Sequence, residues 1–106
     1  MPPLADHHQY TQALDSPWPS YSEFSHIPTL GWDRMNFFRK HVFPPETLPA
    51  ILETYPPWWI SPLRAPDFTG LCDTFVATAE CDVLRDEGEA YGKKLLEAGN
   101  KVTFRR

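Results

Sequence analysis

Proline sets the first limit on what this chain can fold into. All 12 prolines fall within residues 1–66, and the 40 residues that follow contain none. Each proline fixes φ near about −65° and removes a backbone donor, so the first part is confined to short elements separated by turns. The second part is free to carry uninterrupted regular structure. Other residues divide at the same place: 11 of the 15 aromatics lie in residues 1–66, and 14 of the 24 charged side chains lie beyond them. Residues 1–30 read as a proline-rich irregular segment, and residues 31–106 as the structured domain.

Short elements are legible within the proline-rich part. Met35, Phe38 and Val42 are spaced by three and four, the stripe of a helix running from Asp33 to Val42, which Pro44-Pro45 ends. A second helix is expected from Pro45 to about Tyr55, with Leu48, Leu52 and Tyr55 on one face. The later part is clearer. Thr74-Phe75-Val76-Ala77-Thr78-Ala79 is a short, mostly apolar run without strict alternation, as expected of a strand buried on both faces of a parallel sheet. Leu84, Gly88, Tyr91, Leu95 and Ala98 then mark one face of a helix over residues 84–98. Acidic residues crowd its start, Lys93 and Lys94 approach its end, and Gly99 follows as a cap. Val102 and Phe104 open another strand. Strand, helix and strand without a hairpin signal predict an α/β fold with one parallel crossover. Two parallel strands alone are not stable, so strands outside these 106 residues are implied.

Composition narrows the function classes. A net charge of −4 and a pI near 5.4 argue against a nucleic-acid partner, which would require a basic surface. No run of about 18 apolar residues spans a membrane. The start of the chain lacks the basic-then-apolar order of a secretory signal, which favours the cytoplasm. Two cysteines, Cys72 and Cys81, are too few for a disulfide scaffold or a four-thiolate zinc site. His7, His8, His26 and His41 follow no familiar ligand spacing, so neither a metal nor a cofactor is expected.

The informative position is the turn after the first strand, Glu80-Cys81-Asp82-Val83-Leu84-Arg85-Asp86-Glu87-Gly88. In open α/β sheets, functional groups gather at the carboxyl ends of strands. By itself Asp82 reads most simply as a helix N-cap, accepting N–H bonds two or three residues on. The block Asp82 to Gly88, with Glu89-Ala90-Tyr91 and later Leu95, Ala98 and Gly99, resembles the Asp-Pro-Leu-Arg-Asp-Glu-Gly block of the hormone-sensitive-lipase-like α/β-hydrolases. Ser61-Pro62-Leu63 with Ala65, Gly70-Leu71, Thr78-Ala79-Glu80, and Met35 with Phe37-Phe38 resemble further family segments in the same order. The resemblance implies a carboxylesterase or lipase, with a partial α/β-hydrolase fold over residues 31–106. It assigns Asp82 the acid role in a Ser-His-Asp triad, holding the Nδ1–H of a histidine. Arg85, Asp86 and Glu87 are then expected to be structural partners.

Triad order in this fold is serine, acid, histidine. No Gly-x-Ser-x-Gly elbow or His-Gly-Gly-Gly loop occurs here, and all four histidines precede Asp82. The chain therefore reads as a carboxyl-terminal fragment, inactive alone, whose complete enzyme would take carboxylic esters as substrates. Val83, in place of the family's proline, is expected to loosen the turn, and Cys72-Asp73 to alter packing where the strand begins. Cys81 reads as a buried, unreactive thiol. Trp58-Trp59 and Phe37-Phe38 are candidates for an acyl pocket or for core packing. The alternatives are a non-catalytic module bound to a partner chain that completes the sheet, and a degenerate gene product.

Overall fold

The computed structural model describes residues 18–106; expectations for residues 1–17, including His7 and His8, lie outside the described residues. In chain order the elements are α1 (Pro19–Glu23), α2 (Trp32–Val42), α3 (Leu48–Thr54), single 3-10 turns at Pro57–Trp59 and Pro62–Arg64, β1 (Thr74–Ala77), α4 (Arg85–Glu97) and β2 (Val102–Arg105). The two strands pair in parallel, with Thr74 opposite Val102 and Val76 opposite Phe104. This is the expected α/β crossover.

The proline-rich part is more ordered than its composition suggests. Residues 19–23, expected to be irregular, form α1: Pro19 is tolerated in the first turn, where no N–H is required, and Ser20 and Tyr21 are held by Asp86 and Glu87. Helix α2 starts from the extended Gly31, has Asp33 in its first turn, and carries Arg39, Lys40 and His41 in its last. The Asp33 carboxylate and the Arg39 and Lys40 cations suit the helix dipole. Helix α3 begins at Leu48 rather than Pro45. The Thr47 N–H and hydroxyl both donate to the Pro44 carbonyl, at 3.0 and 3.1 Å, and close a turn first. Tyr55, forced to be extended ahead of Pro56, ends the helix.

One face of the strand pair is covered. Gly92 of α4 lies against it so closely that a Cβ there would sit 2.5 Å from Phe104 Cε1 and 3.0 Å from Val76 Cγ2. The opposite face is open: Phe75 is 63% exposed. The strand expected to be buried on both faces therefore alternates between half-buried and exposed residues, since α4 covers one face of the pair and leaves Phe75 on the other exposed. Helix α4 ends on Gly99, at φ 93°. Asn100 then latches three segments together. Its Oδ1 accepts the Leu71 N–H at 2.8 Å, and its Nδ2 donates to the carbonyls of Phe68 and Leu95.

The core runs from the junction of α1 with the start of α4 to the inner side of the last turns of α4. Tyr21, Val83 and Leu95 are its fully buried apolar side chains among the described residues. Polar bonds reinforce this small core. Asp86 Oδ2 accepts the Ser20 N–H at 2.8 Å, Ser20 Oγ donates to the Val83 carbonyl at 2.8 Å, and the Tyr21 hydroxyl donates to Glu87 Oε2 at 2.6 Å. Farther along α4, Lys94 Nζ donates to the Leu63 carbonyl at 2.9 Å and so ties down the Ser61-Pro62-Leu63 turn. Burial pushes the Asp86 carboxyl up, but the Arg85 guanidinium and the Ser20 N–H outweigh it and hold the group below its ordinary value of 3.8.

Two outcomes follow from this packing. Leucine at position 92 overfills the helix–sheet contact, so Gly92→Leu should destabilise the chain by about 1–3 kcal/mol, read as a lower denaturant midpoint. The depressed Asp86 group contributes stability above its unfolded value near 3.8. That contribution disappears as the pH falls through the folded value. Thermal melts from pH 7 to pH 2.5 should therefore show a smaller acid-side loss in Asp86→Asn than in the unmodified chain.

Candidate active site

Parallel strands place both carboxyl ends on one side, and the β1–α4 turn crosses that side. Asp82 is half-buried within this turn. Its Oδ1 accepts the Leu84 N–H at 3.0 Å, and its carbonyl accepts the Arg85 N–H at 3.1 Å. The carboxylate thus closes a local turn two residues wide, ahead of the helix. The helix N-cap position itself is Leu84, which makes no side-chain cap. One oxygen of Asp82 is fixed by the backbone, and Oδ2 has no hydrogen-bond partner among the described residues.

The turn is anchored from below. Val83 is fully buried and its carbonyl takes the Ser20 hydroxyl. Val83, expected to loosen this turn, instead packs it. Arg85 acts as a local ion-pair donor, as expected. It contacts Asp86 Oδ1 at 3.0 Å, and Glu80 Oε1 and Glu23 Oε2 at 3.4 Å each, and it donates to the Glu80 carbonyl at 2.9 Å. The Asp86 bond, opposed in part by desolvation, raises the guanidinium above its ordinary value.

A second set of charges escaped the sequence reading. Arg106, one residue past β2, forks onto Glu89 of α4, with Nε–Oε1 at 2.8 Å and Nη2–Oε2 at 2.7 Å. Its Nη1 reaches Glu80 Oε2 at 3.0 Å. Thr78 at the end of β1 adds a bond to Glu89 Oε1 at 3.1 Å. The Arg106 contact lowers the Glu89 carboxyl, assisted by Thr78 and against some desolvation. These partners are 17 and 26 residues apart in sequence, and no local pattern brings them together.

The remaining candidates do not converge on Asp82. His26 is exposed, and the exposed His41 pairs its Nδ1 with the Phe37 carbonyl within α2. Cys81, expected to be buried, is exposed, as is Cys72; the turn places Val83, not Cys81, in the core. Among the described residues, no cluster of three or more histidine, cysteine or acidic side chains could hold a metal ion. No described helix is long and apolar enough to cross a membrane. A cavity of about 420 Å³ lies between α2, α3 and the turns after them, lined by Met35, Phe38, Val42, Leu48, Leu52 and Ile60 among others. The expected helix stripes face this hollow rather than a filled core, except for Tyr55, which is exposed and stacks on Trp59. Phe37, Trp58 and Trp59 are outside its lining. Asp82 lines neither this cavity nor a second one beside Leu84, Gly88 and Tyr91.

Comparison with known proteins agrees with the topology. A family profile for the alpha/beta hydrolase fold matches residues 3–106. An AB hydrolase superfamily protein of Schizosaccharomyces pombe is 33% identical over 88 residues, covering 81% of this chain and 24% of that protein. The carboxylesterase NlhH of Mycobacterium tuberculosis is 35% identical over 92 residues, covering 87% of this chain and 28% of its own length. A solved fungal esterase from Rhizomucor miehei superposes with a TM-score of 0.70 at 39% identity, over 83% of this chain and 26% of that one. The chain thus spans about a quarter of the length of the relatives it matches. With its parallel crossover and these carboxylesterase relatives, the chain belongs to the alpha/beta hydrolase fold family.

Proposed function

We propose that this chain is the carboxyl-proximal part of a hormone-sensitive-lipase-like carboxylic ester hydrolase, to which it contributes Asp82 as the triad acid. The observation that carries this reading is the state of the Asp82 carboxylate: Oδ1 is fixed by the Leu84 N–H at 3.0 Å, and Oδ2 is left over at the carboxyl end of a parallel strand. A histidine from outside these residues would donate its Nδ1–H to that oxygen. The carboxylate would fix the tautomer and stabilise the imidazolium formed as a serine, also from outside, attacks the ester carbonyl. The acyl-serine formed would be cleared by water activated by the same histidine. That chemistry needs no metal and no redox cofactor. The NlhH relative, a carboxylesterase by name, supports esters as the substrate class.

A second reading has its own support. The open face around Phe75, 63% exposed, and the unpaired edges of a two-stranded sheet suit a non-catalytic module that docks on a partner polypeptide. Under the ester-hydrolase reading, the same protein covers that face with further strands and helices.

The flanking coding sequence and an esterase assay separate the two. The purified 106-residue chain should turn over a chromogenic short-chain ester no faster than buffer, because the oxyanion donors and nucleophile of this chemistry are not among its residues. The longer in-frame product should carry a Gly-x-Ser-x-Gly elbow upstream and a histidine downstream, and should hydrolyse that ester. In that product Asp82→Asn should lower kcat by about 10³–10⁴-fold. Turnover by the 106-residue chain that survives Asp82→Asn overturns the assignment.

A further inference from the structure

We propose that Arg106, Glu89 and Glu80 form a positioning clamp that sets the exit of β2 relative to the Asp82 turn; the inference rests on the ester-hydrolase reading above. Arg106 is the first residue beyond β2, and its side chain ties the end of that strand to α4 and to the β1–α4 turn. Three of its nitrogens are committed, two to Glu89 in a parallel fork and one to Glu80. A fork of this type constrains orientation as well as distance, which a lysine ammonium cannot do.

The other ends of these contacts explain why the clamp bears on Asp82. Glu80 precedes Asp82 by two residues and is shared: Oε2 meets Arg106 at 3.0 Å, and Oε1 meets Arg85 at 3.4 Å. Arg85 in turn holds the Glu80 carbonyl at 2.9 Å. The turn is therefore gripped from the helix side by Arg85 and from the strand side by Arg106, with Glu80 between them. Backbone bonding extends the same link, because the Thr78 N–H donates to the Arg105 carbonyl at 2.9 Å, one step past the end of β1. In the proposed enzyme the triad histidine lies on the chain that follows Arg106. The clamp then fixes the two backbone segments whose side chains must meet, while touching neither the substrate nor the reacting atoms.

Misplacement of about 1 Å in such a contact can cost 10²-fold in rate. The expected signature is a loss in kcat without a loss in substrate binding. The test uses the longer in-frame product, with Asp82→Asn, Arg106→Lys, Glu80→Gln and Asp73→Asn compared under identical conditions. Asp73 pairs with Lys101 at 3.9 Å at the opposite ends of the strands and is exposed, so it serves as the remote ion-pair control. Arg106→Lys and Glu80→Gln should each lower kcat about 10- to 100-fold at unchanged KM. The acid limb of the kcat/KM profile should move to lower pH, because a loosened carboxylate contact no longer raises the histidine's affinity for its proton. Asp73→Asn should leave both quantities where they were. If Arg106→Lys and Glu80→Gln lower only the melting temperature, with kcat and the acid limb unmoved, the clamp is structural and the inference fails while the Asp82 role stands. If Asp82→Asn keeps full activity, or the in-frame product lacks a downstream histidine, the ester-hydrolase reading fails and the inference falls with it.

Discussion

The structure depends on a convergence of donors at the first turn of α4. Ser20 and Tyr21 arrive from α1, 66 residues away in sequence, and meet Asp86 and Glu87 while Arg85 closes the group from the helix itself. Each bond alone contributes only about 1–3 kcal/mol where a charged group takes part. Their importance lies in position. They hold α1 on the start of α4, where Tyr21 and Val83 are two of the very few fully buried side chains among the described residues. With the Lys94 bond to the Leu63 carbonyl, that junction holds the proline-rich half against the crossover unit. Asp86 and Glu87 are thus the foundation on which the Asp82 turn rests, and the short block of residues 82–88 combines a candidate reactive group with its own support.

Much of the crossover was legible in the sequence. Spacing and charge order located α4 to within a residue at each end, because capping glycine, dipole-matched charges and an apolar face all agree there. The first strand was identified, but its surroundings were not: Phe75 is exposed because apolarity reports what a strand is suited to, not which neighbours are present. Helix α1 was invisible because its reason for existing is long-range. A five-residue segment starting at proline has little intrinsic helicity, and Ser20 and Tyr21 reveal their purpose only beside Asp86 and Glu87. The late start of α3 reflects a local competition, in which the Thr47 hydroxyl took the Pro44 carbonyl.

The candidate site divides in the same way. Asp82 could be singled out from its place after an apolar strand, and the turn it closes follows from its residue type. The choice between cap and turn could not be made in advance, since both use a backbone N–H a few residues ahead. The pairing of Glu80 and Glu89 with Arg106 carried no signal, because charges that far apart in sequence read as ordinary solvated side chains until the fold brings them together. Exposure of Cys81 has the same origin. The turn has room for one inward side chain, and Val83 takes it.

The contact between Gly92 and Phe104 has a consequence for how sequences like this one can drift. With van der Waals distance already exhausted between the missing Cβ and the ring, the two positions share one fixed volume. A larger residue at 92 displaces the Phe104 ring and also presses on Val76, whose Cγ2 lies 3.0 Å from the same Cβ position, so shrinking 104 first relieves only the closer of the two contacts. Substitutions at 92, 104 and 76 are therefore coupled, and a side chain gained on the helix needs room made on both strands.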